Sequence, residues 1–273
     1  MAPLYKKTLI IGATSGIGEA LAAKLHAEGT SVIVTGRRQD RLDAFVAKHP
    51  GSSGVVVDIT KFDDIPSFVT SVTQQHPDID SVVLNAGIQR PFNFAKPETV
   101  DLSTFAEEFN TNYVSFVHLV KAFLPHLQRV SKDTEAHLVF INASLALVPT
   151  LTRTPGYNAS KAALHSFIVN VRQQIKDAGY NIRLVEVFPP AVQTEIHDTK
   201  HQPDMINGHE IGMPLGPYTE RMYEGLQKGD EQFAIGHAEE WLNEGGFEAT
   251  RAKLFEQGHA TIKGALAKYV KST

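Results

Sequence analysis

Short runs of consecutive apolar residues recur through the first two-thirds of the chain, separated by longer stretches whose apolar positions fall at helical spacing. The runs lie at 8–12, 31–35, 54–58, 80–84, 137–142 and 182–188, each rich in Val, Ile or Leu. They do not alternate with polar residues. That is the pattern of strands covered on both faces, as in a parallel sheet. Helical periodicity spans 17–28, 39–48, 61–75, 101–129 and 157–178, and Gly29, Pro77 and Gly179 fall just after three of these, where helices stop. A short run at 232–235 adds a final edge strand. The alternation predicts an α/β fold: a Rossmann-type, doubly wound parallel sheet of about seven strands with helices on both faces. It reads as one domain over 1–273.

Residues 189–217 break this rhythm with five prolines (189, 190, 203, 214 and 217) and three glycines (208, 212 and 216). No second alternating block follows, so the segment reads as a mobile substrate loop around 190–217, not as a linker.

Composition narrows the function classes. The chain has no cysteine, which excludes disulfides and thiolate metal sites. A net charge of -4 without a basic stripe argues against nucleic acid. The N-terminal apolar run is broken early by Gly12, too soon for a signal peptide or a membrane span, so a cytoplasmic protein is expected. Twelve histidines include His197, His201 and His209 in the Pro/Gly-rich loop. Without carboxylates at ligand spacing, no metal is expected there.

The first strand runs into Gly12-Ala13-Thr14-Ser15-Gly16-Ile17-Gly18 and then an amphipathic helix. Glycine permits positive φ and close approach of a pyrophosphate, and the helix N-terminus faces the negative charge. The spacing G-x3-G-x-G differs from the commoner G-x-G-x-x-G. At the end of the second strand an acid would hold a ribose 2′-hydroxyl. Gly36 stands there, followed by Arg37 and Arg38. Guanidiniums suit a 2′-phosphate and are poorly placed for a bare helix N-terminus, so NADP(H) is favoured over NAD(H).

With the glycine turn and Tyr157-Asn158-Ala159-Ser160-Lys161 together, the chain resembles the short-chain dehydrogenase/reductase family in its compact one-domain form, over roughly 70% of its length. Leu84-Asn85-Ala86-Gly87 resembles the family segment after the fourth strand, and Asp58-Ile59 its acid–hydrophobe pair beside the adenine. Pro189-Pro190-Ala191-Val192-Gln193-Thr194 resembles the segment that cradles the nicotinamide, contacting it through Pro189, Val192 and Thr194. Ile11, Leu84 and Pro190 depart from the family pattern. The resemblance implies Tyr157 as acid/base and Lys161 as the cation that lowers its pKa and binds the ribose. It also implies Ser144 as hydrogen-bond donor to the substrate oxygen, and Asn112 as holder of a water linking Lys161 to solvent. Tyr157 and Lys161 are four apart, so a helix puts both on one face.

The expected activity is an NADP(H)-dependent exchange of a carbonyl for a secondary alcohol by hydride transfer. The substrate is a small molecule entering a pocket lined by apolar loop residues. Homodimers or homotetramers pairing 101–129 and 157–178 are implied by the resemblance. The alternatives are a non-catalytic dinucleotide sensor, an NAD-dependent dehydrogenase of the same fold, and an epimerase or dehydratase.

Overall fold

The computed structural model describes residues 3–270; the outermost bounds of the expected domain, 1 and 273, lie outside them. Seven strands form one parallel sheet: β1 (Lys7–Ile11), β2 (Ser31–Gly36), β3 (Ser53–Val56), β4 (Ser81–Leu84), β5 (Ala136–Ile141), β6 (Ile182–Phe188) and β7 (Gln232–Ala234). Their spatial order is β3-β2-β1-β4-β5-β6-β7. The order reverses between β1 and β4, the place where an open α/β sheet leaves a crevice at its carboxyl ends.

The consecutive apolar runs have a direct explanation. Successive side chains of a strand point to opposite faces. Leu9, Ile11, Val82, Leu84, Leu138 and Phe140 therefore enter one core, whereas Ile10, Val83, Val139 and Ile141 enter the other. The first core is closed by α3 (Ile65–Gln75), α5 (Ser115–Val130) and α6 (Pro155–Asp177), through residues such as Val69, Phe116 and Leu164. The second is closed by α1 (Gly16–Ala27), α2 (Gln39–Lys48) and α7 (Leu215–Lys228), through Leu21, Leu42 and Met222.

Three features differ from the sequence-based expectation. The single helix expected at 101–129 is broken into α4 (Leu102–Phe109), a π-helical turn Asn110–Val114, and α5. Asp101 caps α4 by accepting from the Ser103 and Thr104 amides at 2.9 and 3.4 Å. The strand expected over 54–58 ends at Val56, because Asp58 turns back to accept the Thr60 amide and hydroxyl. Beyond β7 the chain adds α8 (Glu239–Leu242) and α9 (Phe247–Leu266), neither of which was expected.

The Pro/Gly-rich segment is anchored at several points. Val192 bridges Met213. Gln202, fully buried, donates to Gln89 Oε1 and to the Ile196 carbonyl, both at 2.8 Å. Arg153 donates to Gln202 and to Asp204.

Candidate active site

A cavity of about 510 Å³ opens at the carboxyl ends of the strands. Every residue expected at the site lines it except Gly18 and Asn112, which lie behind its wall. Gly12 adopts φ +84°, and a Cβ there would come within 2.6 Å of Ala86 Cα. Only glycine allows both the left-handed turn and this approach of β1 to the loop after β4. Asn85 Nδ2 donates to the Gly12 carbonyl at 2.7 Å, so this asparagine braces the glycine turn. Gly18 serves packing: a Cβ would collide with the Gly12 carbonyl oxygen. The Ser15 side chain does not cap α1, which leaves the first-turn amides facing the cavity. These features fit a dinucleotide: glycines where a pyrophosphate needs backbone contact, at a helix N-terminus.

Arg37 is exposed at the cavity mouth beside Asp58. Burial pushes the Asp58 carboxyl up, but the two Thr60 hydrogen bonds and then Arg37 hold it below the usual range. Arg38 behaves differently. Its Nε and Nη2 donate to Thr14 Oγ1 at 3.1 and 2.9 Å, and Nη2 donates to Ser15 Oγ at 2.7 Å. Its Nη1 meets Glu195 Oε2 at 2.8 Å. The guanidinium expected to receive a phosphate thus already holds a carboxylate.

On the opposite wall, Pro155 opens α6 and places Tyr157 and Lys161 one turn apart, both buried. Lys161 Nζ donates to the Ile141 carbonyl at 2.9 Å and lies 5.6 Å from the Tyr157 ring centre. Burial brings Lys161 down to about 8, against the opposing charge of Glu186. Burial pushes the Tyr157 hydroxyl up, and the Glu108 carboxylate adds to it. The lysine was expected to lower that value; burial and the Glu108 charge instead set its direction.

Ser144 opens a short turn after β5, and its amide donates to the Pro189 carbonyl at 2.9 Å, tying the ends of β5 and β6 together. Asn112 sits in the π turn. Its Oδ1 accepts the Ile88 amide at 2.8 Å, and its Nδ2 donates to the Ile88 carbonyl at 2.8 Å and to Ser160 Oγ at 3.2 Å. Both amide hydrogens of its side chain are thus committed to protein partners. A π turn in a helix often marks a functional site.

Several polar groups beside the site carry no motif. Glu108 Oε1 accepts the Arg90 amide at 2.6 Å, whereas Oε2 has no hydrogen-bond partner among the described residues. A Cβ on Gly156 would overlap Oε2, so the carboxyl lies directly under the turn that presents Tyr157. Below Lys161, Asn142 Nδ2 donates to the Lys161 carbonyl at 3.2 Å and to Glu186 Oε1 at 2.6 Å. His165 lies between Glu186 and Glu248, with Nδ1 2.9 Å from the first and Nε2 3.2 Å from the second. Among the described residues no cluster of three or more His, Cys, Asp or Glu is arranged to hold a metal ion. No helix among them is long and apolar enough to cross a membrane.

The family model described as short chain dehydrogenase matches residues 6–204. An uncharacterized oxidoreductase, DltE, of Bacillus subtilis is 31% identical over 252 residues, covering 91% of this chain and 94% of its own length. A short chain dehydrogenase from Burkholderia cenocepacia, solved in complex with NADP, superposes with a TM-score of 0.71 at 20% identity, covering all of both chains. A 3-ketoacyl-(acyl-carrier-protein) reductase from Brucella melitensis, solved with NADH, gives 0.71 at 22% identity over 85% of this chain and 96% of its own.

Proposed function

Because the chain belongs to the short-chain dehydrogenase family, we propose that it is an NADP(H)-dependent oxidoreductase that interconverts a carbonyl and a secondary alcohol. The observation that carries this reading is the shared cavity: Ser144, Tyr157 and Lys161 line one wall and the glycine turn the other.

A bound nicotinamide dinucleotide supplies or accepts the hydride; this chain's residues handle the oxygen and its proton. The Tyr157 hydroxyl, kept protonated by burial, donates its proton to the carbonyl oxygen as general acid. Ser144 donates a hydrogen bond to the same oxygen and stabilises the charge that develops there. Lys161, charged below about pH 8, stabilises the phenolate left behind.

NADP(H) is preferred on this reading because the ribose end of the cavity carries Arg37 and Arg38 and has glycine, not an acid, at position 36. The Burkholderia neighbour was solved with NADP and the Brucella neighbour with NADH, so the fold accommodates either dinucleotide and the preference rests on Gly36, Arg37 and Arg38. The segment 190–217 serves as the substrate loop of a single domain. The substrate is a moderately apolar ketone or alcohol, contacted by residues such as Leu145, Leu151 and Ile196.

The test is a consumption assay over chemically diverse ketones with NADPH, and NADH in parallel. Turnover that prefers NADPH and vanishes in Tyr157→Phe, with cofactor still bound, is the expected result. Full activity in the Phe variant would overturn the role of Tyr157. Binding without turnover on any ketone would favour a dinucleotide sensor.

A further inference from the structure

Arg38 and Glu195 are separated by 157 residues in sequence and meet across the cavity mouth. Thr14 and Ser15 accept from Nε and Nη2 and turn the guanidinium so that Nη1 points at the carboxylate. The other carboxylate oxygen lies 3.5 Å from Arg41 Nη2. Both oxygens of Glu195 therefore face a guanidinium. Glu195 follows Thr194, whose methyl group lies where it would pack on a Cβ at Gly16, 3.1 Å away. The carboxylate thus stands directly over the glycine turn. Burial pushes its pKa up, but hydrogen bonds from Arg38 and Ser15 hold it below the usual range, so it is an anion at neutral pH.

We propose that Glu195 is an internal counter-anion, competing with the ribose phosphate of NADP(H) for Arg38 and thereby setting how strongly NADP(H) is preferred over NAD(H). The inference rests on the reading that this end of the cavity receives the ribose. A phosphate group carries more charge than a carboxylate and offers three acceptor oxygens, so it can displace Glu195. The displacement subtracts from its affinity. A ribose without the phosphate makes no claim on Arg38 and leaves the pair intact. Removing the carboxylate charge therefore strengthens one cofactor selectively.

The experiment measures dissociation constants of NADP⁺, NAD⁺ and 2′-AMP by calorimetry for wild type, Glu195→Gln, Arg38→Gln and the double variant. Glu195 is about one-third exposed, and the glutamine is isosteric, so the fold is retained. In Glu195→Gln, NADP⁺ and 2′-AMP are expected to bind about two- to fivefold tighter, the scale of one exposed ion pair, with NAD⁺ unchanged. In the Arg38→Gln background the same substitution is expected to change nothing. Equal weakening of NADP⁺ and NAD⁺ would show that Glu195 clasps the dinucleotide and would overturn the proposal. So would no change in any constant, or an effect that persists without Arg38. If no dinucleotide binds wild type or variants, the assignment of the cavity fails first and this proposal with it. Normal binding without selectivity removes only the role of Glu195.

Discussion

Glu108 is fully buried on the inward face of α4, with one oxygen on the Arg90 amide and the other without a partner among the described residues. Desolvation raises its pKa from 4.5 to about 7, against the smaller opposing effects of the Arg90 amide and charge. A group whose folded pKa is raised holds its proton longer folded than unfolded. The contribution of Glu108 to stability is therefore fully present below pH 4.5 and is lost as pH rises through about 7, by up to about 3 kcal/mol. Glu108→Gln is expected to remove that slope, so urea unfolding should show the variant gaining on wild type between pH 4.5 and 7. Parallel curves would contradict it. The position was readable in principle, since Phe105, Glu108 and Asn112 share one face at spacings of three and four. A carboxylate on a buried stripe was the signal. Tyr157 and Lys161 were legible because they stand in a motif. Glu195 was not, because an ion pair across the fold leaves no trace in local spacing.

The π turn at Asn110–Val114 is the clearest case of an element that the hydrophobic pattern does not reveal. Nothing in Asn-Thr-Asn-Tyr-Val breaks a helix, and the apolar stripe continues across it. What the turn does is carry Asn112 to the Ile88 backbone, where the side chain satisfies both the amide and the carbonyl. Asn112→Ala leaves both groups part-buried and unpaired, with an expected loss of about 1–3 kcal/mol in chemical denaturation. A loss under about 0.5 kcal/mol would mean that water or a rearranged loop replaces the asparagine. The strands, by contrast, were read closely, because burial on both faces demands unbroken apolar runs. Helix α9 escaped the same logic. Glu248 is its only buried residue, so no apolar stripe marks it.

Across the whole molecule, α9 approaches α6 and β6 through buried polar side chains. Glu248 reaches His165 on α6, His165 reaches Glu186 on β6, and Asn142 continues the network to the Lys161 backbone. Near the surface Asp177 pairs with Lys263 at 2.7 Å and His259 at 3.3 Å. Leaving a buried polar group without its neighbour costs about 1–3 kcal/mol, more than an exposed ion pair contributes. Glu248→Ala should therefore accelerate hydrogen exchange over 247–266 by about 30-fold, a change of about 2 kcal/mol, while β1 and β4 stay protected. Unchanged exchange in α9 would place its anchor elsewhere. The parallel sheet with helices on both faces could be anticipated from the alternation of strands and helices; this C-terminal attachment, built from polar residues far apart in sequence, could not.

All three scales converge on Tyr157 and the oxygen it protonates, and isotope transfer tests that most directly. With NADPH deuterated at the transferred position of its nicotinamide ring, wild type acting on an accepted ketone should place one deuterium on the carbinol carbon of the product. Tyr157→Phe should bind the same NADPH and transfer none. Transfer at the wild-type rate in the Phe variant, or a product without label from wild type, would contradict the account.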